Sequence, residues 1–532
     1  MIDFCLKHKR LLIDIAVLVG VFLFVNIAFY VFKPLYFVRD TGMGTVDGII
    51  PKIFVYTCIL AVVVTGIVLK LKGKLTFEKV LFFIFLIGVL LQLLYMLMTP
   101  YDPVSNGIYR QHDVNTNFND GHDAYAWSLF STGQLPSKVD GDGHLANQFY
   151  NPPLNAFVQS IYMHFGEGMM KLINTIAGKE VYDLTNHSQG LIFQTTEVLS
   201  TFYMNIAIYF GIKIAYNLKV DKKFKVFGAM FIALFPALII QAGQVNNDPL
   251  CVMNCFIVIY YTIRWWENHS YYNAIMIGLF TGLAMMAKLS GALIILPAIV
   301  AFAVVFIQAI VKKETFKHYI FQGLIIAVIA APLGLWFHLY AKVRFDQPFG
   351  FVFSNLTELL YVGDKNAFER FINIFDFGDL TYQLFGHTYE NYNLPNFLIK
   401  SAIFGEYSFM GADAFGVFAL ATHYLFTYLS LALMVIYFIY SGKEHLEVKI
   451  IAGTLIITQL VAQLYFNIKM PYGCTMDFRY IVPIIIGFMI LDVLAADKFT
   501  KENDWKKSLS IVTLAIGTLF IASSSMFYLT MY

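Results

Sequence analysis

Between Tyr109 and Trp127 the chain gathers an unusual set of proton-handling side chains. It reads Tyr109-Arg110-Gln111-His112-Asp113-Val114 and then Asn119-Asp120-Gly121-His122-Asp123-Ala124-Tyr125-Ala126-Trp127. Three carboxylates, Asp113, Asp120 and Asp123, and two histidines, His112 and His122, fall within about a dozen residues, just after a strongly apolar run. Any one of them is ordinary in a solvated turn; the cluster is less easily dismissed. A carboxylate shielded from water beside a membrane has a raised pKa and can take a proton from a hydroxyl. His112, Asp113, His122 and Asp123 also offer oxygen and imidazole donors of a kind that several divalent ions accept. Their spacing matches no recognised metal signature, so a metal is not predicted.

The elements that must position this cluster are membrane helices. Of the 532 residues, 58% are hydrophobic and 14% charged, with a mean hydropathy of +0.65. That is far below the charged share of a soluble domain, and no globular core hides so much apolar surface. The 52 Phe and 33 Tyr suit aromatic belts at the two membrane interfaces. Apolar runs near the length of a membrane span lie at 11–32, 52–70, 78–98, 191–216, 226–243, 250–264, 272–288, 291–311, 319–337, 417–440, 449–466, 480–496 and 509–530. This predicts an all-α polytopic membrane protein of about 13 helices by the length criterion. The first run is too long for a signal-peptide core and lacks a small-residue cleavage site after it, so it is expected to remain as a helix.

Lys7, Lys9 and Arg10 place the N-terminus in the cytoplasm. Alternation then puts the Lys-bearing connections Lys70–Lys79, Asn217–Lys225, Arg264–Tyr271, Lys312–Lys317, Ser441–Lys449 and Asp497–Lys507 inside, which is an independent check on the helix count. The expected organisation is 1–98, N-terminal helices; 99–190, a first outer loop holding the Asp/His cluster; 191–337, central helices; 338–416, a second large outer loop; and 417–532, C-terminal helices. Within the first outer loop, Leu154–Ile176 has apolar residues at helical spacing, as expected of a helix lying along the interface. Of the five cysteines, Cys5, Cys58, Cys251 and Cys255 lie in or near apolar runs and only Cys474 falls in an outer loop, so small buried thiols are expected.

Several motifs follow one another in a recognisable order. The Asp-rich loop leads through Gly133-Gln134-Leu135-Pro136 to Asn147-Gln148-Phe149-Tyr150-Asn151-Pro152-Pro153-Leu154. Next come Leu234-Phe235-Pro236 with Gln244-Val245-Asn246-Asn247-Asp248, then Gly278-Leu279-Phe280-Thr281-Gly282-Leu283-Ala284 with Lys288-Leu289-Ser290-Gly291. Last is Asp477-Phe478-Arg479-Tyr480-Ile481-Val482-Pro483. In this order, over about Tyr109 to Pro483, the chain resembles the GT-C superfamily of membrane glycosyltransferases. More narrowly, it is similar to the branch of protein O-mannosyltransferases and bacterial aminoarabinose transferases. The Gln111-His112-Asp113-Val114 and Gly121-His122 elements look like a Gram-positive bacterial subgroup. The chain departs from the branch in having Asp120-Gly121 where an adjacent Asp-Glu pair is usual, and in placing two extra helices, rather than one, ahead of the helix that leads into the loop.

The resemblance implies a GT-C-like fold and an inverting transfer of sugar from a polyprenyl-phosphate donor to a hydroxyl acceptor (on a protein, wall polymer or glycolipid) at the outer face of the cell membrane. Asp113 is then the preferred base, Asp120 the second choice and Asp123 the third. A phosphate leaving group needs cations, which the resemblance assigns to Arg479 and Lys288. Each is equally explained as an interfacial anchor. His112, His122, Asn247, Asp248 and Arg344 are further substrate-site candidates; Asn247 and Asp248 suit a tight turn before Pro249, and Arg344, with His338 and Lys342, suits an interface. His387, Tyr389 and Glu390 in the second loop are candidates for an acceptor site. No cofactor is expected, and the partners implied are the lipid-linked donor, the acceptor and the bilayer, not nucleic acid. The rival class is a transporter or lipid flippase, which would carry ionisable residues or broken helices near the midplane. Here Lys213 and Glu197 are the exceptions among apolar runs that otherwise hold few charges, and the charges gather in one loop.

Overall fold

The computed structural model describes residues 9–37, 49–99, 121–135, 150–182, 184, 188–350, 361–374, 393–405 and 414–530. Its helices are α1 (Lys9–Phe37), α2 (Ile49–Leu71), α3 (Phe77–Met98), α4 (Gly121–Thr132), α5 (Leu154–Ala177), α6 (Ser188–Gln194), α7 (Glu197–Asn217), α8 (Lys222–Ala233), α9 (Pro236–Ile240), α10 (Asp248–Asn268), α11 (Tyr271–Ala287), α12 (Ile295–Val311), α13 (Lys317–Phe345), α14 (Ala367–Phe371), α15 (Leu394–Phe404), α16 (Ala414–Tyr440), α17 (Leu446–Lys469), α18 (Ile484–Phe499) and α19 (Trp505–Thr530). The protein is an all-α polytopic membrane protein. Nine of the thirteen apolar runs fall wholly within helical backbone, and those at 191–216, 226–243, 272–288 and 480–496 are helical but for short breaks or ends.

Nine helical stretches among the described residues are long and apolar enough to cross a membrane; α8 and α9 with Gln241–Gly243, bent by 42°, make a tenth. The other three expected spans are α10, which carries Asp248, Arg264 and Glu267, and the shorter α11 and α18, of 17 and 16 residues. These three helices pack more closely against neighbouring helices, with α10 and α18 buried along most of their length. The contrast is plain between α2, which buries only Pro51 and Val55, and α18, which is buried along almost its whole length.

Close helix contact explains the glycines of the Gly278–Ala284 motif. A Cβ on Gly278 would lie 3.0 Å from the Ile326 Cα, and one on Gly282 would lie 2.9 Å from Leu333 Cβ. Small residues at this seam let α11 lie directly on α13, the usual way helices associate where no hydrophobic force distinguishes protein from lipid.

The charges that interrupt the fourth apolar run are absorbed by the fold. Lys213 pairs with Asp14 of α1 at 2.8 Å, and Glu197 is fully buried at the start of α7. Cys251 and Cys255 are buried, while Cys58 and Cys474 are half-buried.

Candidate active site

Between Leu234 and Asp248 the chain keeps regular helix only over the five residues of α9, inside the bundle, so its free carbonyls must find donors other than water. Side chains from three helices supply them. Gln92 Nε2 of α3 donates to the Leu238 carbonyl at 3.2 Å, and Thr201 Oγ1 of α7 to that of Ala242 at 2.9 Å. Gln159 Nε2 of α5 donates to Val245 at 2.5 Å and Asn155 Nδ2 to Asn246 at 3.1 Å. Asn246 Oδ1 accepts from the Asp248 N–H at 3.0 Å, starting α10 with Asp248 in its first turn and Pro249 behind it. An acidic residue there is favoured by the helix dipole. The turn is closed by the Asn246 side chain, while Asn247 stands at the cap position without a side-chain capping bond, and the turn aims the buried Asp248 carboxylate at a second partner.

That partner is Lys288. Helix α11 stops at Ala287, and Lys288 adopts extended backbone (φ −157°) before a 3-10 turn over Leu289–Ile294. The reversal needs Gly291, whose missing Cβ would lie 2.6 Å from the Ala284 carbonyl carbon and oxygen. At this break Lys288 Nζ meets Asp248 Oδ1 at 2.5 Å. Arg479, in the short 3-10 turn Phe478–Tyr480, brings its Nε to 4.0 Å from Asp248 Oδ2. The Tyr480 ring lies 4.3 Å from Lys288 Nζ and 5.0 Å from the Arg479 guanidinium, and its hydroxyl accepts from Arg479 Nη2 at 3.0 Å. Asp248 and Arg479 side chains are 7% and 10% exposed and Lys288 26%, so the cluster is dry on one side and reachable on the other.

Asp477 adds a second carboxylate. Its Oδ1 accepts the Arg479 N–H at 2.8 Å. Burial pushes its carboxyl above the usual range, opposed by the Arg479 charge and N–H and by Lys400 on α15. The loop carrying these residues is clasped by the 361–374 segment. Val362 N–H donates to the Pro471 carbonyl at 3.1 Å, Tyr361 bridges Tyr472, and Arg370 Nη2 and Nε hold Asn467 Oδ1 at 2.8 and 3.2 Å.

The Asp-rich segment reaches the same region through α4. Tyr125, Ala126 and Leu129 of that helix pack with Ala156 and Met163 of α5, Ile192 and Phe193 of α6, and Val245 of the Leu234–Asp248 segment, the hairpin that joins α8 to α10. His122 is buried on α4. Asp123 lies in the first turn of the same helix, though its side chain, and all of His112, Asp113 and Asp120, lie outside the described residues, as do His387, Tyr389 and Glu390. Arg344 is exposed on α13 and takes no part in the ion-pair cluster. So three of the sequence candidates, Lys288, Asp248 and Arg479, drawn from distant parts of the chain, meet in one place.

Reading by residue type missed Asp477 and Lys400. Asp477 lay within a motif already singled out for Arg479. Lys400 was signalled only by being a lone charge in the apolar stretch Phe397-Leu398-Ile399-Lys400-Ser401-Ala402-Ile403-Phe404.

Residues 184–336 match the family model of dolichyl-phosphate-mannose-protein mannosyltransferase. The match covers under a third of the chain and takes in the hairpin, Asp248, the Gly278–Ala284 seam and Lys288, but neither Arg479 nor the Asp-rich segment. It supports the GT-C superfamily read from the motifs, and it makes this part of the chain similar to a family of membrane glycosyltransferases. No match was found among curated proteins.

Proposed function

We propose that the protein is an inverting GT-C-type glycosyltransferase that takes a sugar from a polyprenyl-phosphate donor and passes it to a hydroxyl acceptor at the outer face of the cell membrane. The observation that carries this reading is the meeting of Lys288 and Arg479 around Asp248, beside an apolar cavity of about 330 Å³. Phe478, the neighbour of Arg479, forms part of the cavity wall with Phe235, Leu398, Phe426, Leu464 and Ile481. A phosphate on a prenyl chain has the matching two-part chemistry: an anion for the cations and a hydrocarbon tail for the cavity.

In this mechanism Arg479 binds the donor phosphate with its planar fork and Lys288 acts as a point charge. Both meet the negative charge that grows on the leaving phosphate, where fixed cations act most strongly. Asp113 removes the acceptor proton as the hydroxyl oxygen attacks the anomeric carbon, with Asp120 and then Asp123 as the next choices of base. Asp248 holds the two cations apart and in place until the phosphate arrives. The Lys-rich connections set the N-terminus in the cytoplasm and the hairpin outside.

The test is binding of a polyprenyl monophosphate to purified protein in nanodiscs, followed by native mass spectrometry. Arg479→Met and Lys288→Met are each expected to weaken binding on the order of tenfold, the usual scale of a lost charge-assisted hydrogen bond. Equal binding by wild type and both variants would remove the phosphate-site assignment.

A further inference from the structure

Helices α16 and α17 follow one another in the chain, and both rest on α18. Gly487 of α18 lets α17 close onto it: a Cβ there would lie 2.6 Å from Ile456 Cγ1 and 3.1 Å from the Ala452 carbonyl oxygen. Ser430 Oγ of α16 donates to Asp492 Oδ2 of α18 at 2.5 Å. Near the connection at residues 441–445 the two helices also touch each other, with Phe438 Cζ 3.0 Å from where a Cβ on Gly453 would lie. From that contact toward the Phe478–Tyr480 turn, the apolar cavity of about 330 Å³ lies between them. Leu431 of α16 and Leu460 and Leu464 of α17 stand in its wall, and Ile484, Ile485 and Phe488 of α18 form its floor. The lining is apolar apart from His423, Thr427 and Tyr428 on α16; His423 Nδ1 donates to the Ile399 carbonyl at 3.0 Å and its ring stacks on Phe520.

The three wall leucines also reach the surface. Leu431, Leu460 and Leu464 are 36%, 40% and 38% exposed, and Ile457 and Val461 beside them on α17 are more exposed still. Both helices are long and apolar enough to cross a membrane, so this uncovered face meets hydrocarbon and the cavity opens sideways into the bilayer. Its other end lies at Phe478, the residue before Arg479. We infer that the cleft between α16 and α17 is the lateral portal through which the hydrocarbon chain of a prenyl phosphate passes from the bilayer to the site, with Leu431, Leu460 and Leu464 at its mouth. Such a chain is costly to draw through water, and a side entrance spares it that route. Lipid tails and leucine are equally apolar, so passage from bilayer to cavity is nearly neutral, and the head group must supply most of the binding. This rests on the phosphate reading of the cation cluster for the identity of the head; the portal itself requires only a hydrocarbon chain.

The experiment is photolabelling of the full chain in phosphatidylcholine nanodiscs with two probes. One is a prenyl monophosphate carrying a diazirine on its chain; the other is the prenol of the same chain and diazirine, without the phosphate. Labelled peptides are read by mass spectrometry after brief exposure. In wild type both probes should label the cavity wall, at Leu398 and Ile399 or over 481–488. Leu460→Trp fills the mouth and should cut that interior labelling on the order of tenfold for both probes. Val461→Trp, one residue along on the lipid-facing surface and outside the cavity wall, should label as wild type does. Leu464→Ala opens the mouth instead of filling it; it should label the interior faster, and it serves where a tryptophan impairs folding.

Interior labelling that is the same in Leu460→Trp, Leu464→Ala and wild type overturns the portal, and so does an unlabelled cavity wall in wild type with both probes. The phosphate reading is scored separately, by the excess of the phosphate probe over the prenol and its loss in Arg479→Met. If both probes label the wall equally, Arg479→Met changes nothing and Leu460→Trp still excludes both, the portal stands and the donor-phosphate assignment falls.

Discussion

Asp248→Asn is the sharpest perturbation of the ion-pair cluster, because it keeps side-chain size while removing the charge between two cations. At an effective dielectric of about 20, unit charges at the observed 2.5 and 4.0 Å attract by about 7 and about 4 kcal/mol before desolvation. Withdrawing three charges from water cancels most of that gain, and Lys288 keeps a quarter of its surface exposed. What the variant loses is chiefly the carboxylate that separates the Lys288 and Arg479 charges. We expect a loss of about 2–3 kcal/mol, below the upper range for fully buried pairs because Lys288 reaches solvent. Thermal unfolding at a fixed scan rate, followed by tryptophan fluorescence, should show an apparent Tm lower by several degrees. Combining it with Lys288→Met should give much less than the sum of the two single effects, with a coupling of at least about 1 kcal/mol. Additive losses, or an Asp248→Asn protein within about 0.5 kcal/mol of wild type, would refute the claim that these residues form one electrostatic unit.

Other expectations follow from the packing. Gly278→Val sets a side chain against the Ile326 backbone, which cannot move aside, and should cost about 1–3 kcal/mol in the same unfolding assay. Gln159→Leu leaves the buried Val245 carbonyl without its donor; a loss of about 1–3 kcal/mol is expected, together with weaker binding of the donor, since the hairpin carries Asp248. Arg370→Met frees the 361–374 segment from Asn467, and limited proteolysis should cut that segment faster than in wild type while the rest of the chain stays protected.

Much of the architecture was legible in the sequence because a membrane simplifies the physics. Apolar length marks helices, so the runs from 11–32 to 509–530 are helical apart from short breaks at 195–196, 234–235, Lys288 and 481–483. The helix expected over Leu154–Ile176 is α5, with Asn155, Gln159, Met163 and Gly166 facing the protein and Phe157, Ile161, Phe165, Leu172 and Ile176 exposed. Hydropathy could not distinguish helices that meet lipid from α10, α11 and α18, because that depends on which neighbours surround them.

The site was legible in part. Arg479 and Lys288 stood out as cations at apolar ends, but nothing in their spacing, nearly two hundred residues apart, showed that one carboxylate would join them. The pairing depends on the α11 break at Lys288 and on the side chains that satisfy the hairpin backbone, both products of tertiary contact. Asn247 and Asp248 read as turn residues, and they are; the second role of Asp248 follows from where the turn sits. Lys400 lacked any motif, and its full burial, next to the Ser401 that accepts the Phe478 N–H, appears only in the fold.

The most direct test of the central claim is sugar release from radiolabelled polyprenyl-phosphate sugars by purified protein in lipid, with wild type set beside Asp113→Asn, Asp120→Asn and Arg479→Met. The account predicts that wild type transfers or slowly hydrolyses at least one donor. Arg479→Met should lose donor binding, and one of the two Asp variants should lose turnover while still binding donor, which would identify the base. Neither binding nor turnover across a panel of donors would contradict the account and turn attention to flux of lipid or solute across the vesicle.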